Sequence, residues 1–574
     1  MDKLQIAEIL EEIGSLLEMQ GENPFKTRAY HNASRIIGGL DQDLEQLVKD
    51  GTLKDLKGIG PSIAEKVSTL VATGKLPYYE ELQKSLPSGL MEMIRVQGVG
   101  PKRAKILYDK LKIKNLRELE DACRKNLVAG LEGFGEKSQA NILQGIGFYS
   151  EHAEYHHYNE AAALSGLILE HMRKAPGVEE ICVCGSLRRH KEVVRDIDVL
   201  VSSRKPQPIM DRFLSFPFTG KILGQGETKS SILVRQGMQI DLRVVKPDEF
   251  PFAQHYFTGS KEHNIVMRHR AQQRGWKLSE YGLFKGPRRI PCADEAAIFD
   301  KLGLQYIPPE LREDRGEFEA AGKKRLPKLI EENDLRGAFH VHTTWSDGKA
   351  SLEDMVAEAE RLGWEYVGIS DHSKTPTYAN GLSMERVRAQ EEAIEKLRKK
   401  HKIRIFRGTE CDILKDGSLD YPEEILKRFD FVVGSIHSSF KMTEDEMTRR
   451  IIRALETGYV TMLGHPTGRL LLQREGYPVN IPKIIDAAAR TGSAIELNCH
   501  PYRFDLDWRM MPLAKEKGVR ISINPDAHDI AGLSFLPFGI GIARKGWLTK
   551  KDVLNAMPLT EVEAWLKSRD RSGV

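Results

Sequence analysis

Asp196 and Asp198, in Arg195-Asp196-Ile197-Asp198-Val199-Leu200-Val201, are the first residues whose types and spacing could do chemistry. Side chains alternate between the faces of a β-strand, so the two carboxylates share one face while Ile197, Val199 and Val201 pack on the other. A third acid, Asp241, stands alone among apolar residues in Gln239-Ile240-Asp241-Leu242-Arg243, where burial without a partner is costly. Two Mg²⁺ ions shared by the three would neutralise them. Such ions, about 3.5–4 Å apart, activate an attacking 3′-hydroxyl and stabilise a pyrophosphate leaving group, the chemistry of nucleotidyl transfer.

A second set of donors lies in the C-terminal part of the chain. His340, His342, Asp347, His372, Glu410, His437, His465, Asp526 and His528 nearly all follow short apolar runs. Nine donors, most of them nitrogen, suffice for up to three metals sharing bridging carboxylates, and suit Mn²⁺ or Zn²⁺ better than Mg²⁺. The expected chemistry is hydrolytic attack at phosphorus. Nearby, Arg503 could clamp a substrate phosphate and Trp345 could stack on a terminal base, with purely structural roles open for both and for His500.

A third feature is a repeat. Leu56–Pro61, Val96–Pro101 and Leu131–Glu136 carry a Gly-apolar-Gly turn 40 and then 35 residues apart, each opening a helix. Gly58, Gly60, Gly98 and Gly100 in the first two copies leave backbone N–H groups bare at a helix N-terminus, which suits a phosphate. The third copy lacks the proline.

The elements needed to hold these residues follow from periodicity. Residues 4–18 place apolar side chains at helical spacing, and similar patterns continue to about residue 145, so the first quarter is expected to be all helix. From about 151, strand-like runs at 180–184, 197–201, 231–234 and 239–245 alternate with helices. Charge-rich residues 308–336 read as a linker. Beyond them, apolar runs at 366–369, 431–433, 494–497 and 520–523 alternate with helical segments, as in a βα barrel with its chemistry at strand C-termini.

A chain of 574 residues exceeds what one core can organise and implies three or four domains of about 150 residues. With 40% hydrophobic and 29% charged residues it is neither collagen-like, mucin-like nor disordered. Six cysteines are too few for a disulfide framework, and Cys182-Val183-Cys184 has no second pair to complete a zinc knot, so reduced, packed thiols are expected. The net charge of +4 divides as zero over residues 1–150, +5 over 151–330 and −1 over 331–574, so local geometry rather than a basic surface must hold any polyanion. No run approaches the ~18–20 apolar residues that span a bilayer and the N-terminus is not a signal peptide; a cytoplasmic location with no membrane partner is expected.

The glycine turns resemble the helix-hairpin-helix motif, a DNA-backbone binder. Residues 1–320 resemble the DNA polymerase X family, typified by DNA polymerase beta. The resemblance implies that Gly185, Ser186 and Arg189 bind the nucleotide triphosphate and that Asp196, Asp198 and Asp241 are the catalytic metal ligands. Tyr256, Phe257 and Gly259, in Tyr256-Phe257-Thr258-Gly259-Ser260, match the segment beside the incoming nucleotide, whose aromatic pair guards the sugar 2′ position; Asn264 and Arg268 match contacts to the nascent base pair. Lys66, with Lys26 and Tyr30, matches a deoxyribose-phosphate lyase, but a lysine of that pattern is Ser62 here, which weakens the case; a solvated helix lysine stays open. Lys261 and Arg195 depart from the family's acidic residue and glycine.

Residues 337–574 resemble the polymerase and histidinol phosphatase (PHP) domain, a distorted (β/α)₇ barrel of metal-dependent phosphoesterases, with all nine ligand positions filled. Six segments are implied: a helical DNA-binding domain (1–85), helix-hairpin-helix fingers (86–150), an α/β nucleotidyltransferase palm (151–245), a thumb (246–315), a linker (316–336) and the barrel (337–574). The expected function is gap-filling DNA synthesis on gapped or primed DNA from dNTPs, by a monomer with two Mg²⁺ in the palm. Metal-dependent 3′–5′ removal of terminal nucleotides or blocking groups is expected in the barrel, with incision at abasic sites left open. The alternatives are a template-independent nucleotidyltransferase and a DNA-binding scaffold with structural metals.

Overall fold

The computed structural model describes residues 3–38, 40, 44–56, 58–96, 98–376 and 379–569. The chain divides into two compact units, Met1–Ala153 with Leu472–Arg474, and Glu154–Leu471 with Glu475–Val574.

The first unit is helical. Ile6, Leu10, Ile13 and Leu17 form the buried stripe of the Lys3–Gln20 helix, against Tyr30, Ala33 and Ile37 of Pro24–Gly38. The three glycine turns fold alike: Gly58, Gly98 and Gly133 adopt φ of 99°, 88° and 79°. In each, the next N–H, from Ile59, Val99 or Phe134, donates back to Leu56, Val96 or Leu131 at 3.0 Å. Gly60, Gly100 and Gly135 then cap the helices Pro61–Thr73, Pro101–Leu111 and Glu136–His152. Arg103 ties the second turn to the third, donating to the carbonyls of Gly98 (3.0 Å) and Gly133 (3.4 Å) with its guanidinium 5.3 Å from the Phe134 ring centroid.

The second unit begins with a five-stranded sheet in the order Glu180–Val183, Asp196–Ser202, Gln239–Val245, Lys229–Val234, Thr219–Gln225. Asp196–Ser202 runs antiparallel to the first of these and parallel to Gln239–Val245. Ile197, Val199, Val201, Ile240, Leu242 and Val244 pack with Ile168, Met172, Ile209 and Phe213 of the helices Tyr158–Arg173 and Pro206–Leu214. The helices Phe250–Thr258 and Lys261–Gln272 follow, then a small antiparallel sheet and the helix Glu295–Lys301, around Met267, Leu283, Ile298 and Phe299.

Residues 316–336, expected as a linker, are not a free tether. Glu317, Ala321, Leu329 and Ile330 are buried, Glu317 accepts a hydrogen bond from His263 at 3.1 Å, and the Ile330 N–H donates to Leu548. The stretch is anchored by these buried residues, while Lys323, Lys324, Arg325, Glu331 and Glu332 face solvent.

Seven consecutive parallel strands form the last sheet: Gly337–Ala338, Tyr366–Ile369, Arg404–Asp412, Phe431–Ser435, Met462–Leu463, Ala494–Asn498 and Ile521–Asn524. A parallel bridge from Val341 to Ala527 and a hydrogen bond from the Phe339 N–H to Asn524 Oδ1 bring the last strand back to the first, nearly closing a barrel. Helices such as Leu352–Arg361, Glu444–Glu456, Ile481–Thr491 and Leu536–Lys545 alternate with the strands. Among the described residues the cysteines are free thiols, and no helix is long and apolar enough to cross a membrane.

Candidate active sites

In the palm, the parallel register sets Asp198 directly opposite Asp241 and Asp196 opposite Gln239. Register partners in a parallel pair share a face, so all three carboxylates lie on the side away from the Ile197–Val199–Val201 core. Burial first, then the charges of Asp196 and Asp241, push Asp198 up to about 7; burial and Asp241 raise Asp196. Lys229 stands 3.7 Å from Asp241, whose other oxygen accepts from Gln239 at 2.8 Å. Among the described residues, the groups of three or more acids and imidazoles whose donor atoms fall within 4.8 Å of one another lie in the barrel, so the palm triad is the looser set. Its all-carboxylate oxygens and mutual repulsion fit a hard divalent cation.

The Gly185–Arg188 helical turn packs onto this face. Gly185 has φ of 63°, and a Cβ built on it would lie 2.1 Å from Asp198 Oδ2, so only glycine permits this approach. Arg188 donates to Thr258 Oγ1 (2.5 Å) and to Glu295 (2.6 Å); Arg189 donates through Nη1 to the Thr258 carbonyl (2.6 Å) and through Nε to Glu313 (3.2 Å). The turn is thereby joined to Tyr256–Ser260. The Tyr256 and Phe257 rings meet edge to face at 5.2 Å, Asn264 donates to the Tyr256 carbonyl at 2.7 Å, and Arg268 donates to the Asn264 carbonyl at 3.3 Å. In the first unit, Lys66 donates to Ser62 Oγ at 2.8 Å and lies 5.1 Å from the Tyr78 ring centroid.

The nine barrel residues converge. Glu410 is central: one oxygen lies 3.4, 3.5 and 3.1 Å from nitrogens of His340, His342 and His372, the other 3.2 and 2.9 Å from His437 and His465. Asp526 lies 3.5 and 3.4 Å from His340 and His342, and Asp347 lies 3.7, 3.6 and 3.4 Å from His342, His372 and His528. His342, Asp347, His372 and His528 form one compact donor group, His340, His342 and Asp526 a second, and His372, Glu410 and His437 a third. His465 and Asp526 hold positive φ, 24° and 51°.

The protonation pattern is that of a cluster neutralising itself. Despite burial, the imidazoles hold Glu410 and Asp526 well below the carboxylate range. His437 rises, against burial, to about 10 through Glu410 and Asp412, and His528 to about 9 through Asp347 and Asp526; burial and the charge of His528 push His342 down to about 3. His340 Nε2, both nitrogens of His342, His372 Nδ1 and His465 Nδ1 are buried without a hydrogen-bond partner. Orphaned imidazole nitrogens facing shared carboxylates fit divalent cations.

Residues outside the expected set orient these side chains. His340 Nδ1 donates to Glu496 at 2.6 Å and His437 Nδ1 to Asp412 at 2.6 Å, which fixes each ring with Nε2 toward the acids. Glu496 carries the signal that singled out Asp241, a lone acid in an apolar strand. Asp371 accepts from Thr343, Ser346 and Gln390, shaping the loop that presents Asp347. Arg503 lies 3.6 Å from Asp526, while Trp345 packs against two apolar clusters.

This arrangement defines a class: a two-site, metal-dependent enzyme of phosphodiester chemistry built on helix-hairpin-helix modules. Family models match at residues 1–76 (helix-hairpin-helix domain), 90–147 (SAM-like helix-hairpin-helix tandem), 253–313 (DNA polymerase beta thumb) and 338–500 (PHP domain). The chain is 37% identical over 575 residues to the DNA polymerase/3′-5′ exonuclease PolX of Bacillus subtilis (strain 168), covering 99% of this chain and 100% of that one. The chain is also similar to a probable phosphatase of Thermoanaerobacter sp. (strain X514), 29% identical across 40% of this chain and 94% of the relative. A probable phosphatase of Caldicellulosiruptor bescii is 32% identical across 33% of this chain and 78% of its own length. The chain belongs to the DNA polymerase X family, in the form that carries a C-terminal PHP domain.

Proposed function

We propose that this chain is a template-directed DNA polymerase that fills short gaps during repair, and that its barrel is a 3′–5′ exonuclease working on the same 3′ end. The observation that carries the reading is the register of Asp198 opposite Asp241, with Asp196 on the same face, in a chain matched end to end by a PolX.

Asp196, Asp198 and Asp241 would hold two Mg²⁺, and the nine barrel residues up to three Mn²⁺ or Zn²⁺ ions. Bound cations supply the Lewis acidity for both reactions. The rest falls to the chain. The Gly185-Ser186 turn and Arg189 hold the triphosphate, Tyr256 and Phe257 bar a 2′-hydroxyl, and Asn264 and Arg268 contact the new base pair. The turns at Gly58–Gly60 and Gly98–Gly100 hold backbone phosphates without reading sequence. The likeness to probable phosphatases extends the barrel's substrates to a blocking 3′-phosphate.

The test is a gapped duplex with a labelled primer, given dNTPs and Mg²⁺ or Mn²⁺, with each template base in turn. Extension that follows the template, and shortening when dNTPs are withheld, are expected. Incorporation indifferent to the template would refute the polymerase assignment, and a primer never shortened would refute the exonuclease.

A further inference from the structure

The loop that links the triphosphate turn to the metal-ligand strand is gripped along its length by the barrel. The side chain of Lys545, at the end of the Leu536–Lys545 helix, has zero exposure. Its Nζ donates to Glu313 Oε1 at 2.5 Å and to the Arg189 carbonyl at 3.1 Å, and lies 4.8 Å from the Trp508 ring centroid. The same Glu313 oxygen accepts from Arg189 Nε at 3.2 Å, and its partner oxygen lies 3.5 Å from Lys191. A Cβ on Gly541, one turn back along the helix, would fall 1.9 Å from His190 Nδ1, so the His190 ring sits directly on the helix backbone. Glu192 pairs with Arg509 at 3.3 Å. Residues 189–192 therefore each have a fixed seat, three of them on the barrel itself.

We propose that Lys545, 356 residues downstream of Arg189, is a positioning residue for nucleotide binding. It holds the Arg189 backbone and the Glu313 carboxylate, which fixes the guanidinium through Nε; with Nη1 on the Thr258 carbonyl, Nη2 is left for a phosphate oxygen. The proposal rests on the reading of Arg189 as a triphosphate contact. It makes the barrel a working part of the polymerase as well as a second active site. Removing an ammonium buried against one carboxylate leaves that carboxylate without its buried partner, so the geometry it holds is lost with Lys545.

The test is steady-state filling of a one-nucleotide gap by the full-length chain, with kcat and KM for the dNTP measured for Lys545→Met, Lys545→Arg, Arg189→Ala and the Lys545→Met/Arg189→Ala double variant. Exonuclease rate on the same primer serves as the folding control. Lys545→Met should raise the dNTP KM about tenfold with kcat within about twofold, and add little on the Arg189→Ala background, because the two act as one unit. Lys545→Arg should restore most of the loss, and exonuclease activity should hold throughout. An unchanged KM in Lys545→Met, with Arg189→Ala raising it, overturns the positioning role alone. An unchanged KM in Arg189→Ala overturns both the triphosphate reading and the proposal. Should Lys545→Met not fold, Glu313→Gln interrogates the same relay from the palm side with the same expected rise in KM, and an unchanged value there overturns the proposal.

Discussion

Glu496→Gln should disable the exonuclease through metal affinity while leaving DNA synthesis intact, although Glu496 is not among the nine expected ligands. The carboxylate accepts four donors: His340 Nδ1 at 2.6 Å and Asn524 at 3.0 Å on one oxygen, the His465 N–H at 2.7 Å and Asn498 at 3.3 Å on the other. A glutamine amide offers one oxygen and two further donors. If its oxygen stays on His340, the His465 N–H and Asn498 face an NH₂ group, and each buried donor so orphaned costs about 1–3 kcal/mol. If the amide flips, His340 Nδ1 must accept, its proton moves to Nε2, and that nitrogen can no longer ligate. Either way the site loses orientation, and the Mn²⁺ concentration for half-maximal exonuclease activity should rise about 10–100-fold, the usual consequence of removing a carboxylate behind a ligating histidine. A Mn²⁺ titration of primer shortening measures this, with gap filling in Mg²⁺ as the internal control. Unchanged Mn²⁺ dependence would show that His340 needs no orienting partner and refute the reasoning.

Four further outcomes are expected. Asp198→Asn should cut gap filling roughly a thousandfold and spare the exonuclease, and His342→Ala the reverse, because each ligand set serves one site; parallel assays on one labelled primer read both, and joint loss would argue against independent sites. Gly185→Ala should depress synthesis selectively, since a methyl group would lie 2.1 Å from Asp198 Oδ2 at a φ that costs alanine about 1–2 kcal/mol; normal dNTP KM and kcat would contradict the close packing. Saturating the barrel with Mn²⁺ at about 100 times Kd should stabilise it by about 2.7 kcal/mol, so a chelator should lower the unfolding midpoint of the metal-loaded chain, and an indifferent midpoint would exclude tight cations. Glu295, buried but held down to about 2 by Arg312 and Arg188 against an ordinary value of 4.5, contributes stability that is full above about pH 4.5 and is lost as pH falls through about 2. That is worth about 3 kcal/mol, so Glu295→Gln should flatten the acid limb of the unfolding curve, and an unchanged limb would remove Glu295 as its cause.

Much of both clusters was legible because each of their residues carries a local signature. Asp196, Asp198 and Asp241 interrupt apolar strands with the period of two, and periodicity alone puts them on the polar face. The barrel histidines and acids sit at or just beyond the ends of apolar runs, where a parallel barrel collects side chains from distant strands at one mouth. Glu496 was equally visible in Ala494-Ile495-Glu496-Leu497-Asn498, but it lies inside a strand rather than after one, and a search for donors at strand ends passes over it. The third glycine turn keeps its helix without the proline: Pro61 and Pro101 pre-set φ at the first helical residue, whereas Glu136 follows a more fully extended glycine, Gly135 at φ −179° against −76° and −82° for Gly60 and Gly100.

What sequence patterns could not carry is pairing at long range. The hydrophilic stretch from 308 to 336 reads as solvated because charge density is a local property, whereas the partners of Glu310 and Glu313 are not local. Glu310 meets Arg544 at 2.6 Å from 234 residues away, and Glu313 meets Lys545 from 232 residues away. No periodicity marks such a pair, and neither member looks different from a surface charge until the fold buries both. The consequence is functional. Glu313 is held well down, to about 2, by Lys545, Arg189 and Lys191 against the opposing effect of burial, so it stays a carboxylate at any working pH and Arg189 keeps a fixed anionic anchor. A segment that would serve as a mere tether if solvated instead places an acid between the barrel and Arg189, and through that acid the packing of the barrel reaches the palm.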